Sequence, residues 1–156
     1  MGPYKISTKE GFRYFSTIVD DYTRSVWVYL LKGKDEIYDN VVSFYNLLHI
    51  QFQKNVNFFQ SDNGTEFRNN RFGKFVNDNR IVHQTLFIYT PQQNGVVENK
   101  HRQLLNVART LMFQGNIPLN MWHECILNAT YLINRTPSFV LGGKCPYEYV
   151  YGFSAL

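Results

Sequence analysis

Apolar residues recur along the chain at two spacings, and these predict an alternation of strands and helices. Short runs rich in aromatic and β-branched residues predict four strands, over 12–19, 25–31, 56–60 and 82–87. Apolar residues at helical intervals predict five helices, over 34–52, 65–79, 96–113, 119–134 and 147–151. A hairpin followed by single crossovers indicates a mixed sheet covered by helices, with one further strand expected before the hairpin to complete it.

Composition indicates one folded intracellular domain. The chain has 156 residues, of which 44% are hydrophobic and 18% charged, so it can bury a core without disulfides. No apolar run approaches the roughly 20 residues that cross a bilayer, and no apolar segment follows the N-terminus as in a signal peptide. We therefore expect no membrane partner and a location in the nucleus or cytoplasm. Cys125 and Cys145 fit neither a disulfide scaffold nor a zinc site.

The acidic residue Asp62 directly follows the strand predicted over 56–60, in the sequence Ser-Asp-Asn-Gly. A carboxylate at the carboxyl end of a central strand lies where such sheets bind ligands. The same four residues also form an ordinary turn, in which an Asp side chain bonds the backbone that follows it. Taken alone, this segment favours the turn.

Glu98 lies one turn into the long helix that follows the loop over 89–95. Arg102 and Arg109 share its helical face, so three charged side chains are predicted to project away from the core. The apolar face of the same helix is predicted to contain Val97, Leu104, Ala108 and Leu111. Glu98 is either a helix-dipole residue paired with Arg102, which would be worth little, or a metal-binding carboxylate beside a phosphate-binding stripe.

The spacing of these two acids and the short sequence motifs (called words below) around them resemble those of a known family. Asp62 and Glu98 are separated by 35 residues. The words are 18–24 (IVDDYTR), 61–67 (SDNGTEF), 89–98 (YTPQQNGVVE), 131–137 (YLINRTP) and 146–148 (PYE), with His101, Arg102 and Trp122 between them. In this order, over essentially the whole chain, they resemble the integrase catalytic core of Ty1/copia-type LTR retrotransposons. The resemblance implies an α/β, RNase H-like fold over residues 1–156, with a mixed five-stranded sheet flanked by helices.

The resemblance also implies a set of three carboxylates, of which Asp62 and Glu98 are the second and third. The first Asp of the family stands on the first strand, typically in the word Asp-x-Trp-Gly-Pro. Met1 occupies the Trp position, so the matching Asp would lie two residues before Met1. We therefore expect the first strand to be partly missing and the chain to be weakly active or inactive. In the family, Asp20 and Asp21 belong to the second strand and its turn and are not the first metal ligand. Asp21 is expected to be a turn or cap residue, and for Asp20 an indirect role behind the metal ligands stays open.

The activity implied is DNA integration by metal-dependent 3′-end processing and strand transfer, with retroelement ends and target DNA as partners and a homo-oligomer as the assembly. Two Mg²⁺ or Mn²⁺ ions would hold the phosphodiester, with Asp62 and Glu98 as ligands. The candidate DNA-binding residues are Gln92, Gln93 and Asn94 in the loop and Lys100, His101, Arg102 and Arg109 on the helix. A second basic group, formed by Arg68, Arg71, Lys74 and Arg80, is either a phosphate contact or a solvated face.

Other functions stay open at this point. A relic of an integrase could bind DNA without cutting it, and this predicts a steep salt dependence of binding without cleavage. It could instead be a protein-interaction module, with 119–134 as the candidate interface. A simple RNase H-type nuclease shares the fold, but the two complete words over 60–67 and 89–98 argue against it.

Overall fold

The computed structural model describes residues 5–62, 64–85 and 95–152. They fall into two compact units, one formed by 5–32 with 95–152 and the other by 33–62 with 64–85. The elements in chain order are β1 (Tyr14–Val19), β2 (Val26–Leu31), α1 (Ile37–Phe52), β3 (Phe58–Ser61), α2 (Asn70–Asp78), β4 (Val82–Thr85), α3 (Gly95–Gln114), α4 (Trp122–Arg135) and α5 (Pro146–Tyr151).

The first unit begins with the predicted antiparallel hairpin, in which Tyr14 of β1 lies opposite Leu31 of β2. Its turn is closed by the Asp20 side chain, whose Oδ2 accepts hydrogen bonds from the backbone N–H of Thr23 at 2.8 Å and from its hydroxyl at 2.6 Å. Arg24 ends the turn at a positive φ of 61°. The turn role predicted for Asp21 therefore belongs mainly to Asp20, since Asp21 is exposed and pairs with Arg24 at 2.6 Å.

Helices α3 and α4 supply the core that packs on this hairpin. The buried members of the cluster are Phe15, Val26, Leu104, Ala108, Trp122, Cys125, Ile126, Ala129 and Ile133. The Asn134 amide fixes α4 to the start of β2: its Oδ1 accepts from the Val26 N–H at 2.9 Å and its Nδ2 donates to the Val26 carbonyl at 2.7 Å. One side chain thus satisfies two buried backbone groups, as a neighbouring strand would.

The second unit is built on the parallel pair β3 and β4, in which Ser61 lies opposite Thr85. Its buried cluster contains Val41, Phe72, Val76 and Ile81, with the aromatic rings of Phe59, Phe67 and Phe75 packed around it. Helix α2 begins at Asn70 because the Asn69 side chain accepts a hydrogen bond from the Phe72 N–H at 2.8 Å. This cap is an ordinary helix start, and the residues predicted as the first turn, 65–67, form a separate 3-10 turn.

The α/β class, the hairpin and the five helices confirm the sequence predictions. The described residues contain four strands, paired once antiparallel and once parallel. The predicted first strand would fall at the start of the chain, where residues 1–4 lie outside the described part, and residues 5–13 contain no strand. The strand predicted over 82–87 is described as far as Thr85. Within the described ranges no helix has the length and apolar character needed to cross a membrane.

Candidate active site

Asp62 lies immediately after β3 with its side chain exposed. Its Oδ1 accepts a hydrogen bond from the Gly64 N–H at 3.2 Å, so the turn bond expected from the sequence is present. A carboxylate offers about four lone-pair positions, and one such bond leaves acceptor capacity for a cation. The turn and the metal-ligand interpretation of Asp62 are therefore compatible.

Two buried or half-buried polar groups lie behind Asp62. The Ser61 hydroxyl donates to the Asp62 carbonyl oxygen at 3.0 Å, and its Oγ lies 2.9 Å from Nε2 of His83 on β4. The His83 ring packs among Phe59, Phe67 and Phe72, with centroid distances of 5.8, 6.4 and 5.0 Å. Burial lowers the pKa of His83. The sequence alone assigns no role to His83, because only the pairing of β3 with β4 creates this contact.

Glu98 stands in the first turn of α3 and is exposed, as are Arg102 and Arg109. Leu104 and Ala108 on the opposite face are buried. The prediction that the acid and the two arginines project away from the core is confirmed. The prediction that Val97 belongs to the apolar, core-facing side of α3 is wrong. Val97 is 36% exposed, because the buried face of α3 does not extend back to its first turn.

Lys100 is half-buried beside the turn of the hairpin. Burial, and secondarily the nearby positive charge of Arg24, lower the pKa of its ammonium group. Two cations held near one another are stabilised by an anion that contacts both, and a phosphate group is such an anion. This environment fits the phosphate contact predicted for Lys100.

His101 occupies a different environment from its neighbours on α3. Its ring stacks on Phe15 of β1 at 5.2 Å between centroids and 11° between planes, and its Nδ1 lies 3.3 Å from the Thr17 hydroxyl oxygen. Burial lowers the pKa of His101. The predicted contact of His101 with DNA stays a prediction, and the observed position makes it a packing group that holds α3 on β1.

The other candidate DNA contacts divide into two groups. The predicted loop residues Gln92, Gln93 and Asn94 lie outside the described residues. In the second basic group, Arg71 pairs with Asp39 at 2.9 Å and stacks over the Tyr38 ring at 3.9 Å. Its guanidinium is thus paired on α1 although its side chain is 65% exposed, and Arg68, Lys74 and Arg80 are exposed as well. The choice between a phosphate contact and a solvated face for this group stays open.

The donor chemistry fits Mg²⁺, which prefers carboxylate and water oxygens. Among the described residues no cluster of three or more His, Cys, Asp or Glu side chains converges on a common point. The ligands that the resemblance assigns to this chain are the two carboxylates of Asp62 and Glu98, both exposed.

Comparison with known proteins shows the family of this chain. Residues 1–91 match the model of the integrase core domain family. The chain is 34% identical over 145 residues to the retrovirus-related Pol polyprotein from transposon TNT 1-94 of Nicotiana tabacum, a match that covers 93% of the chain and 11% of the polyprotein. It is 30% identical over 139 residues to the truncated transposon Ty1-A Gag-Pol polyprotein of Saccharomyces cerevisiae, covering 88% and 12% respectively. The chain thus spans about a tenth of the length of these relatives.

The fold is also that of solved integrase cores. The HTLV-2 integrase catalytic core domain, solved in complex with magnesium in a trimeric form, matches with a TM-score of 0.66 at 20% identity, over 96% of this chain and 93% of that one. The RNase H-like fold predicted from the sequence is thereby confirmed. The chain therefore belongs to the integrase core domain family, in a form similar to the Ty1/copia-type transposon Pol polyproteins.

Proposed function

We propose that this chain is the catalytic part of a retrotransposon integrase, which trims DNA 3′ ends and transfers them into target DNA. The observation that carries the proposal is the placement of Asp62 at the carboxyl end of β3 and Glu98 in the first turn of α3, both exposed, within a chain of the integrase core family. No protein nucleophile is needed, because water or a DNA 3′-hydroxyl attacks the phosphorus atom directly.

Asp62 and Glu98 are the residues that would hold the metal. Bound divalent ions activate the attacking oxygen and neutralise charge on the leaving oxygen. The Gly64 N–H bond at 3.2 Å orients the Asp62 carboxylate, and Glu98 stands exposed in the first turn of α3.

The basic residues of α3 would hold the DNA backbone. Lys100 lies near Arg24, and Arg102 and Arg109 share the exposed face of Glu98. Contacts of this kind position a duplex without reading its sequence, and each neutralised phosphate increases the salt sensitivity of binding. We expect duplex binding that weakens steeply as salt rises.

Self-association is a second part of the proposal. The outer face of α4 exposes Leu127, Tyr131 and Leu132 at 40%, 56% and 45%, within the segment 119–134 predicted as an interface. The HTLV-2 core was solved in trimeric and dimeric forms. A concentration-dependent sedimentation coefficient supports self-association of this chain, and a constant one at all concentrations contradicts it.

The decisive experiment is a Mg²⁺-dependent strand-transfer assay on a protein that contains this 156-residue chain. We expect Asp62→Asn or Glu98→Gln to slow the joining of DNA ends by roughly 100-fold or more, because each removes one carboxylate that would hold the metal.

Asp78→Asn is the matched control, since it removes one carboxylate from the end of α2 and should leave joining unchanged. Full joining activity in Asp62→Asn or Glu98→Gln would contradict the role given to these two acids. Duplex binding by all of these proteins without any joining would favour the alternative of a non-catalytic DNA-binding relic.

A further inference from the structure

The end of β3 carries a chain of two hydrogen bonds that leads to the backbone of Asp62. The Ser61 hydroxyl donates its only proton to the Asp62 carbonyl oxygen at 3.0 Å. Its oxygen lies 2.9 Å from Nε2 of His83. Since the hydroxyl proton is already used, the second bond requires His83 to donate from Nε2. The direction is therefore His83 to Ser61 to the Asp62 carbonyl.

The position of His83 is fixed by its surroundings rather than by this bond alone. Its ring has Phe72 at 5.0 Å in an edge arrangement and Phe59 at 5.8 Å. Backbone pairing of β3 with β4 sets His83 opposite Phe59. Ser61 is 7% exposed, so water competes little for its oxygen. The rings of Phe59 and Phe72 thus hold His83 in place, and His83 holds Ser61 through its Nε2 hydrogen bond.

We propose that Ser61 and His83 are positioning residues, which fix the Asp62 backbone so that its carboxylate is aimed for metal binding. This inference rests on the proposed function, because it gives a purpose to the same carboxylate. The groups that orient a metal ligand commonly control affinity as strongly as the ligand geometry itself. The Gly64 N–H bond to Asp62 Oδ1 at 3.2 Å depends on the same backbone. Protection of the Gly64 amide from solvent exchange therefore reports the orientation of the Asp62 carboxylate without any metal present.

The test uses four variants of the whole chain. Ser61→Ala removes the hydroxyl that links His83 to the Asp62 carbonyl oxygen. His83→Phe keeps an aromatic ring packed against Phe59 and Phe72 but removes the Nε2 donor. His83→Gln is the conservative variant, because a glutamine side-chain amide can donate from nearly the position of Nε2. Asn79→Ala is the control for a general loss of stability: it deletes a hydrogen bond to the Phe75 carbonyl at 2.8 Å in the same unit, away from the end of β3.

Two measurements are made on each variant by NMR. Solvent exchange of the Gly64 amide reports the carboxylate orientation in the absence of metal. Paramagnetic broadening in a Mn²⁺ titration then gives the apparent Kd at Asp62. We expect Ser61→Ala and His83→Phe to speed Gly64 exchange about two- to tenfold and to weaken Mn²⁺ binding about tenfold. His83→Gln should restore both values, and Asn79→Ala should change neither.

Unchanged Gly64 exchange in Ser61→Ala and His83→Phe would overturn the inference, and so would a loss equally large in Asn79→Ala. The two proposals fail differently. If Mn²⁺ never broadens the signals near Asp62 in the unmodified chain, the proposed function fails, while the Gly64 measurement still decides whether Ser61 and His83 position this carboxylate.

Discussion

Replacing Asn134 by alanine should destabilise the first unit strongly. Its amide makes two hydrogen bonds, at 2.9 and 2.7 Å, to the N–H and carbonyl of Val26, a residue 1% exposed. Truncation leaves both backbone groups buried without these partners, at about 1–3 kcal/mol for each. We therefore expect the free energy of unfolding to fall by about 2–6 kcal/mol and the Tm by roughly 4–24 °C.

The matched control is Asn128→Ala on the same helix. Asn128 is exposed and donates one hydrogen bond to the Glu124 carbonyl at 2.9 Å, which water can replace, so its change should stay within about 0.5 kcal/mol. Urea unfolding followed by circular dichroism measures both variants. If Asn134→Ala is no less stable than Asn128→Ala, the amide does not clamp α4 to β2 and the reasoning is refuted.

Three further predictions concern acidity, salt and the core. Burial lowers the pKa of His83 and His101, so the unfolded chain takes up their protons at higher pH than the folded chain. Stability should therefore be fully present above about pH 6.5 and fall as the pH drops below it, and a urea midpoint that is constant from pH 7 to pH 5 would contradict this. Lys100→Ala and Arg102→Ala should each reduce the slope of log binding constant against log salt by about one. Fluorescence anisotropy with labelled duplex measures the slope, and unchanged slopes would exclude phosphate contacts. Phe72→Ala should cost about 3–5 kcal/mol of unfolding free energy, because it empties a fully buried ring site, and thermal denaturation with a loss under about 1 kcal/mol would show that the second unit lacks a packed core.

Most of the secondary structure could be predicted because its signals are local. The hairpin follows from two runs of aromatic and β-branched residues around a polar turn. Helix α5 begins at Pro146, one residue before its predicted start, since the Glu148 carboxylate accepts from the Cys145 N–H at 2.8 Å. Cysteine is not a usual cap residue, so the sequence gives little sign of this start.

In the candidate site, too, the features with local sequence signals could be predicted and those that depend on packing between distant residues could not. Asp62 and Glu98 stand in words whose order along the chain is visible in the sequence. The contact of His83 with Ser61 depends on the parallel pairing of two strands 20 residues apart between Ser61 and Val82, which periodicity alone does not fix. Asn134 lies in the motif over 131–137. Its two hydrogen bonds to the Val26 backbone depend on the packing of α4 on β2, which the motif does not reveal.

The position of His101 could not be predicted for the same reason, since the residue on which its ring packs is distant in the sequence. Its place beside Lys100 and Arg102 in a basic segment predicts a DNA contact, whereas its ring lies on Phe15. Successive helical residues point about 100° apart, so one can enter the core while the next is solvated. The burial of His101 depends on β1, a strand some 80 residues earlier in the chain.

The most direct test of the account is to locate the metal on the folded chain. Mn²⁺ is added at about one-tenth of the protein concentration, and line broadening is mapped in backbone NMR spectra, since the tightest site broadens first. The account predicts that the signals around Asp62 and around Glu98 broaden first, that Asp62→Asn removes the broadening at Asp62 and Glu98→Gln that at Glu98, and that the signals around Asp78 stay sharp. Broadening centred on Asp78 or on other exposed acids, with Asp62 and Glu98 unaffected, would contradict the assignment of these two residues as the metal ligands.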